Sequence, residues 1–74
     1  MAKKFDELDV VALTDPIHDH GLWDGDEGTV VHVHRGGSYS VEFVRGGDTI
    51  GVVEVPASKL RLVWRYSPQA AHAG

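Results

Sequence analysis

The chain contains no cysteine, which excludes a disulfide framework, thiolate catalysis and thiolate metal ligation. It has no long apolar run either. The longest uncharged apolar stretch, VVAL at 10–13, is far short of the ~20 residues a membrane-spanning helix needs. Behind the lysine pair of MAKKFDELD there is no apolar segment of the kind that marks a secretory leader. A soluble, cytoplasmic protein is therefore expected. Positive charge is also scarce, with 7 Lys and Arg against 11 Asp and Glu and a net charge of -4. Nucleic-acid binding normally rests on a broad basic face, of which Lys59, Arg61 and Arg65 form only a weak version, so that balance disfavours it. Length sets a further bound. Seventy-four residues make one domain that buries only about 60% of its unfolded surface, which is too little for a monomer to enclose a deep catalytic cleft.

The residues present point to strands. DVVAL (9–13), GTVVHVH (28–34), SYSVEFV (38–44), TIGVVEV (49–55) and KLRLVW (59–64) are rich in Val, Ile, Tyr and Phe and are bounded by glycine or proline. No helical period is sustained. Five short strands in so small a chain imply a barrel, because closing the sheet removes exposed edges. Pairing Val33 with Val41 makes Gly36, Gly37 and Ser38 a three-residue hairpin loop. It sends Val31, Val33, Val41 and Phe43 inward and His32 and His34 outward. Val11, Leu13, Val55 and Leu60 complete the expected core. A two-residue turn at Gly46-Gly47 sends Ile50 and Val52 inward, whereas counting back from VPASKL sends Val53 and Val55 inward. Both hold if a bulge near Gly51 shifts the parity; otherwise Ile50 and Val52 form an exposed apolar patch. The barrel is expected over residues 1–64, followed by a flexible tail over 65–74.

The layout of a long first loop, GDEGTVV entering the second strand and VPASKL before the last resembles an SH3-like barrel, with VPASKL as the 3₁₀ turn before strand five. More closely, FDELDVVALTDPIHDHGLWDGDEGTVVHVH, YSVEFV, TIGVVEV and SKLRLV resemble DUF4926, a family of small bacterial proteins of unknown function. The resemblance covers about residues 5–63 and is most specific at GLWDGDEGTVV. It implies a fold and a bacterial cytoplasmic setting, but no activity.

LWDGDEGTVVHVH (22–34) contains three acids, two glycines and two histidines, so it must be weighed as a site. In DGDEG, Gly25 and Gly28 supply positive φ, and Asp24 and Asp26 bond nearby amides, which reads as a turn launching strand two. Leu22 is expected to fold onto the barrel end. For a metal, His18 with His20 and His32 with His34 each supply only two imidazoles of the four ligands zinc prefers, so no metal or other cofactor is implied. For an enzyme, Ser38, Ser40 and Ser58 lack a nucleophile context, and RGGS and RGGD are hairpin turns rather than phosphate loops; the chain is not expected to be catalytic. For protein binding, the first loop from Pro16 to Asp26 gathers acids around an aromatic. Asp19, His20, Trp23, Asp24 and Asp26 are the candidate contacts for a basic protein surface. Tyr39 and Trp64 are read as capping the core. The alternative is nucleic-acid binding in the manner of KOW modules through Arg45, Lys59, Arg61 and Arg65. Self-association is compatible with either reading.

Overall fold

The computed structural model describes residues 3–67. Five antiparallel strands form one sheet: β1 (Val10–Leu13), β2 (Glu27–Val33), β3 (Ser38–Arg45), β4 (Asp48–Pro56) and β5 (Leu60–Trp64), in the spatial order β4-β3-β2-β1-β5. A 3₁₀ turn at His18–His20 lies in the first loop, and another at Ala57–Lys59 leads into β5. This is the order and connectivity of an SH3-like barrel. The edges β4 and β5 share no ladder; the turn at Ala57–Lys59 joins them.

Alternating patterns explain the core. Tyr39, Val41 and Phe43 on β3 are buried, as are Val11 and Leu13 on β1, Val55 on β4 and Leu60 on β5. Leu22 folds under the first loop and is buried with them. The register of the β2–β3 hairpin differs from expectation. Val33 lies opposite Tyr39, and the His34 amide donates to the Ser38 carbonyl, so the loop is Arg35-Gly36-Gly37. The slip is two residues, so β3 keeps its faces.

Val31 does change face, and its expected burial is corrected. Val30 pairs with Val41 and His32 with Ser40, which makes Val31 the extra residue of a bulge. Val30 is fully buried instead, while Val31 is 41% exposed. Beyond the bulge the parity returns, and Val33 packs against the core. A second irregularity lies where expected: Val44 pairs with Thr49 but Phe43 with Gly51, which skips Ile50. The bulge sends Val53 and Val55 inward, yet it does not bury Ile50 or Val52, and Val52 is 59% exposed. A third correction concerns Trp64, which pairs with Val10 and is half exposed rather than capping the core.

Residues 3–9 form a strap across the sheet that the strand pattern did not foreshadow. Phe5 is buried, with its ring edge-on to Tyr39 at 5.2 Å. The Tyr39 hydroxyl accepts the amides of Lys4 and Phe5 at 2.8 and 3.1 Å. Asp9 is buried; its carboxylate accepts the Asp6 amide at 2.9 Å and the Tyr66 amide at 3.0 Å. Arg65, with its Nε 3.6 Å from Asp9, donates to the Lys4 carbonyl. Arg65 and Tyr66, expected in the tail, are therefore tied to the domain. Ser67 is also among the described residues, and residues 68–74 of that expected tail lie outside them.

Candidate functional site

The first loop is built from local hydrogen bonds and one long-range clamp. Ile17 and Leu22 exchange backbone bonds at 2.9 and 3.1 Å, closing a short lobe around the 3₁₀ turn. Its base is stitched to β1: the Gly25 amide donates to the Leu13 carbonyl at 2.8 Å, and the Leu13 amide to the Asp26 carbonyl at 2.9 Å. Trp23 to Asp26 make a turn in which the Asp26 amide donates to the Trp23 carbonyl. Gly25 takes φ +88°, a conformation glycine adopts without the steric cost other residues meet.

Asp26 closes the turn from the side-chain direction. Its Oδ2 accepts the Trp23 amide at 2.8 Å and is also bonded by the Arg45 guanidinium, which donates in addition to the Gly21 carbonyl at 3.1 Å. The Trp23 amide, followed by Arg45, holds the Asp26 carboxyl below the ordinary aspartate range against the opposing effect of burial. Leu22 inside and Asp26 clamped leave Trp23 between two fixed points, with the residue 57% exposed. The indole stands edge-on to His18 at 5.4 Å.

Among the candidate contacts, Asp19, His20, Trp23 and Asp24 are therefore solvent-facing, whereas Asp26 serves the loop itself. His18, which spacing alone did not single out as a contact, is the residue whose ring meets Trp23 edge-on. The four cations of the alternative face are divided. Arg45 is bound to Asp26 and Arg65 lies against Asp9, which leaves Lys59 and Arg61 exposed on the β5 side. His32 and His34 lie with ring centroids 4.6 Å apart, and His34 Nε2 is 2.6 Å from Ser40 Oγ. Among the described residues no group of three or more histidine or carboxylate side chains is placed to hold a metal. No helix among them is long and apolar enough to cross a membrane.

Gly28 has a role different from the one its motif suggested. It lacks positive φ and lies opposite Phe43 in β2. A Cβ there would meet the Glu42 carbonyl oxygen and Val41 Cγ1 at 2.6 Å. The second glycine of DGDEG thus permits close strand approach, while the first makes the turn.

Fold and loop together define a small five-stranded antiparallel domain of SH3-like layout carrying a braced, aromatic-tipped acidic loop. The chain belongs to the family described as domain of unknown function DUF4926, whose model matches residues 7–62. Neither the curated proteins nor the solved structures gave a match.

Proposed function

We propose that this domain is a non-catalytic binding module of the bacterial cytoplasm that engages a basic protein surface through its first loop. The observation that carries the reading is the exposed Trp23 ring on a loop whose two neighbouring anchors, Leu22 and Asp26, are fixed by the domain itself. A tryptophan held out in water on a rigid support gives up little conformational freedom on binding and offers 150–250 Å² of contact surface. Asp15, Asp19, Asp24 and Glu27 are exposed along the same loop and its exit into β2. Such charges raise the rate of encounter with a cationic partner, whereas the aromatic slows its release.

The test is affinity capture from the native cytoplasm with matched variants, followed by titration of the captured protein. Trp23→Ala, with its folded state checked by its NMR spectrum, is expected to weaken binding at least tenfold, about 1.4 kcal/mol. Arg61→Gln with Arg65→Gln is expected to leave binding within twofold. The opposite ranking would move the interface to the basic β5 side. A steep inverse dependence of duplex DNA or single-stranded RNA binding on salt would have the same meaning.

A further inference from the structure

Away from the first loop, β2 runs into a groove of about 660 Å³ between the strap and the Arg35-Gly36-Gly37 hairpin loop. Val33, Tyr39 and Ala57 supply apolar lining, while Lys3, Lys4 and Arg35 contribute charge. Among the described residues no acid lines it, although the chain as a whole carries a net charge of -4. Three of the 7 Lys and Arg residues are thus gathered at one place. Lys3 is shared with Asp6 at 3.0 Å, and among the described residues no acid pairs with Lys4 or Arg35, which therefore supply the groove's charge. The Lys4 ammonium lies 5.5 Å from the centre of the Phe5 ring, and Arg35 is exposed at the hairpin tip.

Hydrogen bonds from backbone amides pin the walls. The Tyr39 hydroxyl seats the lysine stretch by taking the Lys4 and Phe5 amides across 35 and 34 residues of sequence. The Ala57 amide donates to the Gly37 carbonyl at 2.9 Å, fixing the hairpin against the turn before β5. A groove held this way needs little reorganisation to accept a ligand, and its volume falls within the 300–1,000 Å³ of small-molecule sites.

We infer that this groove binds a small organic anion: a carboxylate or phosphate head placed between Lys4 and Arg35, joined to an apolar body lying on Val33, Tyr39 and Ala57. Charge complementarity selects the head. Exposed cations add only modest affinity in water, so the apolar body is required for useful binding. A bare anion lacks half of the recognition, and so does a neutral apolar molecule. The site is independent of the first loop, and neither proposal rests on the other.

The experiment is an NMR titration of isotope-labelled protein with 4-phenylbutyrate and, separately, phenyl phosphate. Acetate, inorganic phosphate and 4-phenylbutanol serve as the separated halves. Saturable shifts are expected at Val33, Arg35 to Gly37 and Ala57, with each half-molecule at least tenfold weaker than its parent. The stronger parent identifies the head group as carboxylate or phosphate. Lys4→Gln with Arg35→Gln removes the charge while keeping the Lys4 amide that Tyr39 holds, and should weaken binding at least tenfold with the spectrum otherwise native. If that pair disturbs the fold, Arg35→Gln alone should weaken binding at least threefold. The inference is overturned if 4-phenylbutanol binds as well as the acid, if inorganic phosphate matches phenyl phosphate, if the shifts centre on Trp23 or Trp64, or if a folded charge variant binds like the parent.

Discussion

Glycine occupies positions 25 and 28 for unrelated reasons, and substitution should distinguish them. At Gly25 nothing lies within 4 Å of an added Cβ, so alanine there meets only the cost of positive φ, about 1–2 kcal/mol. At Gly28 the added carbon meets backbone, which cannot rotate away. Gly28→Ala should therefore push β2 from β3 and cost about 1–3 kcal/mol, with displaced amide resonances at Val41 and Glu42 that Gly25→Ala lacks. Urea unfolding and an amide spectrum of each variant check both halves. The bulge gives a similar contrast. Val30→Ala removes two buried methyl groups, on the order of 2 kcal/mol with the cavity, whereas Val31→Ala should change stability by less than about 0.5 kcal/mol. Equal losses would restore the unbroken alternation. The strands, the β3 face and the Gly51 irregularity could be read from residue type and parity. The bulge at Val31 could not, because its residue is a valine among valines and nothing in its chemistry marks the missing partner. At position 51 a glycine within an apolar strand supplied that mark.

The first loop illustrates what local reading misses. Leu22 and Trp23 behave as their positions suggested, one inside and one out, since the turn composition around them fixes the chain locally. The Arg45–Asp26 clamp joins residues 19 positions apart across β2 and β3, so the sequence presented Arg45 only as one more cation for a basic face. The strap was missed for a related reason: Phe5 and Asp9 find their partners on Tyr39 and Tyr66, far along the chain. The clamp predicts a pH dependence. Asp26 has a folded-state pKa below its unfolded value of about 3.9, so its contribution to stability is fully present above that value. It is lost as pH falls through the folded pKa. Stability from this group should thus be flat at neutral pH and decline only in the acid range below about pH 4. Carbon-detected NMR titration of the Asp26 carboxyl should show the depressed midpoint directly. Arg45→Ala should raise that midpoint only part of the way, because the Trp23 amide, the largest single cause, still outweighs the opposing effect of burial. Full recovery of the ordinary value in Arg45→Ala would assign the effect to the guanidinium instead.

At the scale of the molecule, the two proposed sites lie at opposite ends of β2, the first loop at its entry and the groove at its exit. The sheet order also fixes a sequence of events in time. β2, β3 and β4 are joined by a three-residue and a two-residue loop, whereas β1 must find β5 with Val10 opposite Trp64, nearly the length of the domain away. Bringing such distant segments together costs more chain entropy before any contact is made. The meander should therefore assemble first, with the strap and the β1–β5 pair docking afterwards onto a surface already formed. Removing the Tyr39 hydroxyl, which among the described residues accepts the strap amides of Lys4 and Phe5, isolates that late step. Tyr39→Phe should leave the refolding rate nearly unchanged and accelerate unfolding severalfold in stopped-flow experiments. Native-state hydrogen exchange should show β1 and β5 opening at lower free energy than β3. A slowed refolding limb would instead place the strap in the nucleus. On the first outcome, the protein's lifetime as a folded species is set where the strap and β1 meet Tyr39 and β5, by contacts that take no part in starting the fold.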